Sequence, residues 1–369
     1  VTSVATKGSI AMDKLKAKFI KVTPGNEAQA VATISLTAKS VILVGERASE
    51  SVGLLSAARS LAEKTGAKIA WIPRRAGERG ALEAGAFSQL LPGGRPVSDS
   101  AARVDIAAAW GVSTIPSLPG RSVRAMIDAV HNNDLDALVV GGVDIADMPQ
   151  SAHAKEAFKK AFVVSLEIAH SSVTEVADVV LPVAAVTEKY GSYINWEGRP
   201  RAFAAAVADS LNRSDVRILS VLADAMGQSI MLGTVTAAAR EFAQLGTWEG
   251  ARASHVSVQP GTPVSVSGDQ AIITSWRRLL DEGSLQMGED NLAGTRRPTL
   301  AVISPSRAQK LGVATGDHLR ISNAQGSITL PALVEEIHDD AVWLPRNSIG
   351  SNLLQTLNAV HGELVTVVK

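Results

Sequence analysis

Glycine and polar residues follow one apolar segment at a place suited to ligand binding. Gly141 and Gly142 end the run Ala137-Leu138-Val139-Val140, and Asp144 comes shortly after them. The run is typical of a strand, and open α/β sheets bind their ligands at the carboxyl ends of strands. The sequence therefore predicts a binding position here. The alternative is that both glycines only form a tight turn.

A second group of ligand-type side chains lies in one loop-rich segment. It combines carboxylate, amide and guanidinium groups with a glycine: Glu188, Gly191, Asn195, Glu197 and Arg199. Such groups recognise a polar ligand through hydrogen bonds. Two structural alternatives remain. Asn195 is also a residue type that caps turns. Glu197 and Arg199 are two residues apart, so on a strand they would share a face and form an ion pair.

Standard catalytic and metal-binding patterns are absent from the sequence. It contains no Gly-x-x-x-x-Gly-Lys, no Gly-x-Gly-x-x-Gly after a strand and no Gly-x-Ser-x-Gly. No two of the seven histidines are three or four residues apart, so none share a helix face as metal ligands. The pairs Glu335-Glu336 and Asp339-Asp340 would point apart in a strand. We therefore expect no catalytic residue and no metal ligand.

Composition narrows the function classes further. The chain has no cysteine, which excludes disulfides and thiolate-held iron–sulfur clusters within it. Lys+Arg and Asp+Glu are 36 each, so no net positive field favours nucleic acid. The basic doublets, including Arg277-Arg278 and Arg296-Arg297, are interpreted as solvated surface. No apolar run has the length of a membrane-spanning helix. The chain begins at Val1 without a signal-peptide pattern, and we expect it to be part of a longer protein.

Strand and helix patterns alternate along the first two thirds of the chain. Val41 to Gly45 is typical of a strand buried on both faces of a parallel sheet. A helix follows, with Ser51 as its expected N-cap and Gly66 as its end. Further strands are predicted at 68–72, 137–140, 162–166 and 178–182, with helices between several of them. This alternation predicts an α/β fold with a doubly wound, mostly parallel sheet over residues 1–245.

The character of the sequence changes after residue 245. Residues 246–297 are rich in glycine and proline near their start and predict a linker or an extended excursion. From residue 298 to 369, short strands alternate with tight turns and one or two small helices. That pattern favours a small closed β-barrel.

Three segments resemble the molybdopterin oxidoreductase family, and more narrowly its branch in respiratory complex I. The segments are Arg74 to Gly85, Val163 to Arg199 with its Ala177-Asp178-Val179-Val180-Leu181-Pro182 strand and Asn195-Trp196-Glu197-Gly198-Arg199, and Ser304 to Asp317. The third is similar to the opening of the family's double-psi β-barrel, the dinucleotide-binding domain. The resemblance implies that Asn352, which follows Gly350, lies where the family approaches its pterin cofactor. Asn352 and the two polar groups, at 141–144 and 188–199, would then form a vestigial pterin cleft.

The resemblance also implies cofactors, partners and location. Relatives in the complex I branch are regarded as having lost the molybdenum cofactor, so this segment would hold neither molybdenum nor a cluster. The parent protein would carry [2Fe-2S] and [4Fe-4S] clusters in an N-terminal region, while partner subunits hold FMN and NADH. The segment would be a structural and docking part of an enzyme that passes electrons from NADH to quinone. Its partners would be peripheral-arm subunits, without nucleic acid or membrane insertion, on the cytoplasmic face of the plasma membrane.

Two other functions stay open from the sequence alone. The same motifs are compatible with a fragment of an active molybdopterin enzyme of the formate dehydrogenase or nitrate reductase type. The generic alternation of strands and helices is compatible with a stand-alone nucleotide-binding α/β protein.

Overall fold

The computed structural model describes residues 1–207 and 210–369 of the chain. The α-helices are α1 Ile10–Lys14, α2 Glu27–Ala32, α3 Leu54–Thr65, α4 Glu78–Glu83, α5 Ser100–Trp110, α6 Val123–His131, α7 Ser151–Lys160, α8 Asp215–Ala225, α9 Val235–Gln244, α10 Asp290–Ala293, α11 Pro305–Leu311 and α12 Leu353–Thr356. The strands are β1 Thr2–Ala5, β2 Lys18–Lys21, β3 Val41–Gly45, β4 Lys68–Ile72, β5 Leu90–Leu91, β6 Arg95–Pro96, β7 Ala137–Gly141, β8 Phe162–Glu167, β9 Val179–Pro182, β10 Gly191–Ile194, β11 Pro200–Phe203, β12 Gln270–Trp276, β13 Ala301–Ile303, β14 His318–Ser322, β15 Ser327–Val334, β16 Ala341–Pro345, β17 Asn347–Ser348, β18 Ser351–Asn352 and β19 Leu364–Val368. The chain divides into two compact units. The barrel unit comprises Val1–Ile72, Ala146–Ala152 and Ser257–Lys369, and the sheet unit comprises Pro73–Ile145 and His153–Val256.

Six strands of the barrel unit close into a barrel, in the order β12-β16-β13-β15-β14-β19. Its interior is filled by aliphatic side chains from every strand and from α12, among them Ile273, Ile303, Leu319, Leu344 and Leu353. The predicted closed barrel is thereby confirmed. Its first strand, β12, lies inside residues 246–297, which the sequence predicts to be a linker. That prediction missed the strand because the apolar run Ala271-Ile272-Ile273 is short and follows a stretch rich in glycine and proline.

The parallel strands β3 and β4 belong to the same unit as the barrel, and α3 packs against them. Val41 and Leu43 of β3 are 58% and 67% exposed, so the prediction of a strand buried on both faces is wrong. The reason is that the buried residues Ala58, Leu61 and Ala62 of α3 cover one face only.

Ser51 has a different role from the predicted helix cap. Gly53, in the left-handed conformation, is the N-cap of α3. The Ser51 hydroxyl instead donates a 2.6 Å hydrogen bond to the buried carboxylate of Glu27, and Nε2 of His361 lies 3.0 Å from its other oxygen. Burial opposes ionisation of Glu27, yet these two contacts lower its pKa below the ordinary value. The cluster joins α2 to the loop before β19.

The sheet unit contains the three-stranded parallel sheet β7-β8-β9. Parallel pairing of these strands, and of β3 with β4, agrees with the sequence. A single doubly wound sheet is not formed by the described residues, because the parallel strands belong to separate sheets. Pro73 ends β4, and the chain then forms α4, the two-residue strands β5 and β6, and helices. Among the described residues, the sheet of β4 therefore contains β3 and β4 alone.

A buried arginine ties together distant parts of the sheet unit. Arg95 is 2% exposed, and its guanidinium donates to the backbone carbonyls of Leu245 at 2.6 Å and Pro92 at 3.2 Å. It also forms an ion pair with Asp105 of α5 at 3.3 Å and lies over the ring of Trp248. A cation at the end of α9 satisfies carbonyls that the helix leaves unpaired.

In the described ranges, no helix combines the length and the hydropathy needed to cross a membrane.

Replacing Arg95 with Met is expected to loosen the sheet unit. The carbonyl groups of Leu245 and Pro92 would lose their donor, at a cost of about 2–3 kcal/mol. Hydrogen exchange of the amides around α5 and the end of α9 measures the loss locally. The matched control is Arg124→Met, because Arg124 forms an exposed pair with Asp128 and should contribute less than about 1 kcal/mol. Equal protection in both variants would contradict the assigned role.

Candidate functional site

Glu188 is held by its own segment of the chain. It ends a short helical turn, Val186–Glu188, and its carboxylate accepts a hydrogen bond from the backbone N–H of Ala185 at 2.8 Å. The Ser210 hydroxyl at 2.8 Å and the Asn212 amide at 3.0 Å donate to the same group. These donors, the Ala185 N–H foremost, lower the pKa of Glu188 below its ordinary value. The carboxylate therefore stabilises a loop rather than facing a ligand with free oxygens.

Gly191 allows an aromatic side chain to cover the backbone of a hairpin. Strands β10 and β11 pair antiparallel, with Gly191 opposite Phe203. A Cβ atom at Gly191 would collide with the Phe203 ring, which also stacks on Tyr193 at 5.2 Å between ring centroids. The glycine thus makes room for a cross-strand aromatic contact.

The turn that joins β10 to β11 contains the remaining residues of the segment. Oδ1 of Asn195 accepts hydrogen bonds from the backbone N–H of Glu197 at 3.1 Å and of Arg199 at 2.9 Å. Gly198 adopts φ +82°, which few other residues tolerate. The carboxylate of Glu197 lies 3.5 Å from Nε of Arg199. The turn cap and the ion pair weighed from the sequence are both present, although the pair lies in a turn and not on a strand.

The glycine pair lies at the carboxyl end of β7, as predicted. Gly141 is the last residue of the strand, and Gly142 turns the chain with φ +63°. The Ser172 hydroxyl lies 3.4 Å from Oδ1 of Asp144 and 3.3 Å from the backbone nitrogen of Ile145. Asp144 is thereby fixed against the loop that precedes β9.

Asn352 belongs to the barrel unit, whereas the other predicted site residues belong to the sheet unit. Its side-chain oxygen caps α12 by accepting from the Gln355 N–H at 3.2 Å, and its amide lies 3.4 Å from Oδ1 of Asn347. Asn352 lines a cleft of about 490 Å³ at the end of the barrel, together with Asn347, Ser348 and Gly350.

Sequence reasoning overlooked two buried groups of the barrel unit, of which Ser348 lines this cleft. Ser348 is 8% exposed, and its hydroxyl has no hydrogen-bond partner among the described residues. Arg277, predicted as surface, is largely buried and forms ion pairs with Asp147 and Asp281. A serine two residues before a glycine is typical of an ordinary turn, so no local pattern distinguishes it.

Metal binding finds no support in the described ranges, which contain no group of three or more His, Asp or Glu side chains able to hold a metal ion.

Comparison with known proteins places the chain in a family. The profile described as Molybdopterin oxidoreductase matches residues 10–225, which is more than half of the chain. The chain belongs to the molybdopterin oxidoreductase family. A second profile, Molydopterin dinucleotide binding domain, matches residues 273–366, the range of the barrel from β12 to β19.

Individual proteins are similar to this chain over all or part of its length. An NADH-quinone oxidoreductase subunit of Mycobacterium bovis is 44% identical, over 100% of the chain and 47% of the relative. The corresponding subunit of Streptomyces coelicolor is 42% identical, over 100% of the chain and 46% of the relative. A nitrate reductase of Symbiobacterium thermophilum is 34% identical, over 39% of the chain and 20% of that protein. The chain spans about half the length of the two NADH-quinone oxidoreductase subunits.

The family's dinucleotide-binding domain implies a pterin dinucleotide, a large polyanion that needs free hydrogen-bonding groups. In the sheet unit, the acceptors of Glu188 and Asn195 are used by their own loops, and Glu197 pairs with Arg199. In the barrel unit, Asn352 is used as a helix cap. These residues, as arranged, do not fit the cofactor, because binding it would require several of them to give up internal partners.

Glu188→Gln is expected to loosen the segment around residues 185–188, because an amide offers one acceptor oxygen where the carboxylate offers two. Folding lowers the pKa of Glu188. The stabilisation from the hydrogen bonds to its ionised carboxylate is therefore fully present above the ordinary carboxyl pKa and is lost as pH falls through the lowered value. Chemical shifts of the Ala185 amide in an NMR titration measure this. Glu249→Gln, an exposed carboxylate of the same unit, is the control. A pH-independent Ala185 amide in the unmodified chain would contradict the assignment.

Proposed function

We propose that this chain is a structural and docking segment of an NADH-quinone oxidoreductase of the complex I type. The observation that carries the proposal is the 44% identity, over the entire chain, with an NADH-quinone oxidoreductase subunit. The use of the candidate ligand groups within their own loops supports a role in which the segment maintains a fold and a partner surface.

The segment itself holds no iron–sulfur cluster and no molybdenum cofactor in this proposal. Zero cysteine supports the first part, since such clusters are held by thiolates. The [2Fe-2S] and [4Fe-4S] clusters belong to the N-terminal region of the parent protein, and FMN and NADH bind to a partner subunit. The partners are that N-terminal region and other peripheral-arm subunits, at the cytoplasmic face of the plasma membrane.

Two finer points of the architecture are part of the same proposal. The six-stranded barrel is of the double-psi type, supported by the match of residues 273–366 to the dinucleotide-binding profile. The division at residues 245 and 298 into an α/β domain, a linker and a barrel stays a prediction, beside the division into barrel unit and sheet unit described above.

Metal content of the intact enzyme tests the absence of the cofactor. The NADH-quinone oxidoreductase that contains this chain, purified from cells grown with added molybdate, is expected to contain iron stoichiometrically and molybdenum only in traces. Inductively coupled plasma mass spectrometry measures both. One molybdenum per complex would overturn the proposal and favour an active molybdopterin oxidoreductase, to which the similarity with the nitrate reductase also points.

A docking role predicts that damage to the segment reduces assembly and leaves turnover unchanged. Arg95→Met, which weakens the sheet unit, is expected to lower the amount of assembled complex in membranes several-fold. NADH–quinone turnover per assembled complex should stay at the unmodified level, because in this proposal the segment holds none of the reacting groups. Native gels quantify assembly, and Arg124→Met is the control. A fall in turnover with normal assembly would contradict a docking role.

A further inference from the structure

The connection between β12 and β13 is attached firmly to the barrel. The backbone N–H of Glu282 donates to the carbonyl of Asn347 at 3.0 Å. Nη1 of Arg278 donates to the carbonyl of Pro298 at 2.7 Å, and its guanidinium lies 5.2 Å from the ring centroid of Trp343. The arginines of this connection are therefore held in fixed positions and do not lie on a free loop.

A cavity of about 380 Å³ lies between this connection and β17. The charged and polar residues of its lining include Asp281, Glu282, Arg296, Arg297 and Ser348. The volume is far too small for a pterin dinucleotide, but it is sufficient for a small polyatomic ion with its waters.

The cations around this cavity are only partly neutralised. Arg277 pairs with Asp147 and Asp281, and Arg296 pairs with Glu282. Neither Arg278 nor Arg297 has a carboxylate partner within residues 1–207 and 210–369. The pKa of Arg278 is lowered mainly by burial and also by the positive charge of Arg297, which indicates that the two guanidinium groups repel each other. Like charges kept together in this way attract an anion.

Two hydrogen-bond donors on the lining are also left unused. The hydroxyl of Ser348 and Nε of Arg296 are buried, and neither has a partner in the described part of the chain. A buried donor without a partner costs about 1–3 kcal/mol, so such groups point to a ligand that accepts from them. Because Ser348 and Arg296 lie on the same cavity as Arg297, one ligand could satisfy all three.

We propose that this cavity binds a tetrahedral oxyanion of the phosphate type. Arg297 supplies the uncompensated charge, and Nε of Arg296 and the hydroxyl of Ser348 donate hydrogen bonds to the anion oxygens. The site does not include Asn352, although Ser348 also lines the cleft beside that residue, and it does not depend on the proposed docking role. Inorganic phosphate and the phosphate group of a nucleotide share this chemistry.

Calorimetric titration of the purified 369-residue chain with inorganic phosphate, at low ionic strength in chloride buffer, tests the site. One saturable site is expected. Arg297→Gln and Ser348→Ala should each weaken binding by about tenfold, the usual scale for one charge-assisted hydrogen bond. Arg297 is exposed and Ser348 has no partner to lose among the described residues, so both variants should fold normally.

Arg320→Gln is the matched control, since Arg320 is an exposed arginine on β14 away from the cavity lining. Phosphate affinity should be unchanged in it. A second titration with ADP distinguishes free phosphate from the phosphate group of a larger molecule. If ADP binds with an affinity similar to that of inorganic phosphate, the natural ligand is free phosphate. If ADP binds more tightly and this binding is still lost in Arg297→Gln, the ligand is a phosphate group of a larger molecule. The absence of saturable binding, or an equal loss in Arg320→Gln, would overturn the proposal.

Discussion

The cost of removing a polar group from water without giving it a partner governs both units of this chain. In the barrel unit, the buried Glu27 carboxylate accepts hydrogen bonds from the Ser51 hydroxyl and the Gly25 N–H, and His361 lies against its other oxygen, which joins α2 to the loop before β19. In the sheet unit, Arg95 can be buried because Leu245, Pro92 and Asp105 accept from it. Each unit thereby gains contacts between segments that are far apart in the sequence.

The same requirement decides what the family's motif can do here. Carboxylates and amides suited to a cofactor are satisfied by the backbone of their own turns, as Glu188 and Asn195 show. A family fold can therefore persist while its polar groups stabilise their own loops. One exception is the cavity beside β17, where Ser348 and Arg296 keep donors unused within the described part of the chain.

Local patterns predict the elements of this fold better than their assembly. The strand at Ala137–Gly141 follows from short-range signals. The exposure of Leu43 cannot be predicted from such signals, because the burial of a strand residue depends on which face of the sheet a helix covers. The site shows the same limit. The turn cap at Asn195 follows from residue type, whereas the partners of Glu188 depend on where a later loop returns.

Closure of the barrel by β12 has a consequence for its synthesis. β12 pairs with β16 and with β19, so the first barrel strand needs the last one. Such distant pairings form late and slowly, since a long loop must be ordered before any contact compensates for it. On the ribosome, the apolar run Ala271-Ile272-Ile273 emerges long before its partners. Until β19 has been made, that run stays open to wrong partners and to chaperones.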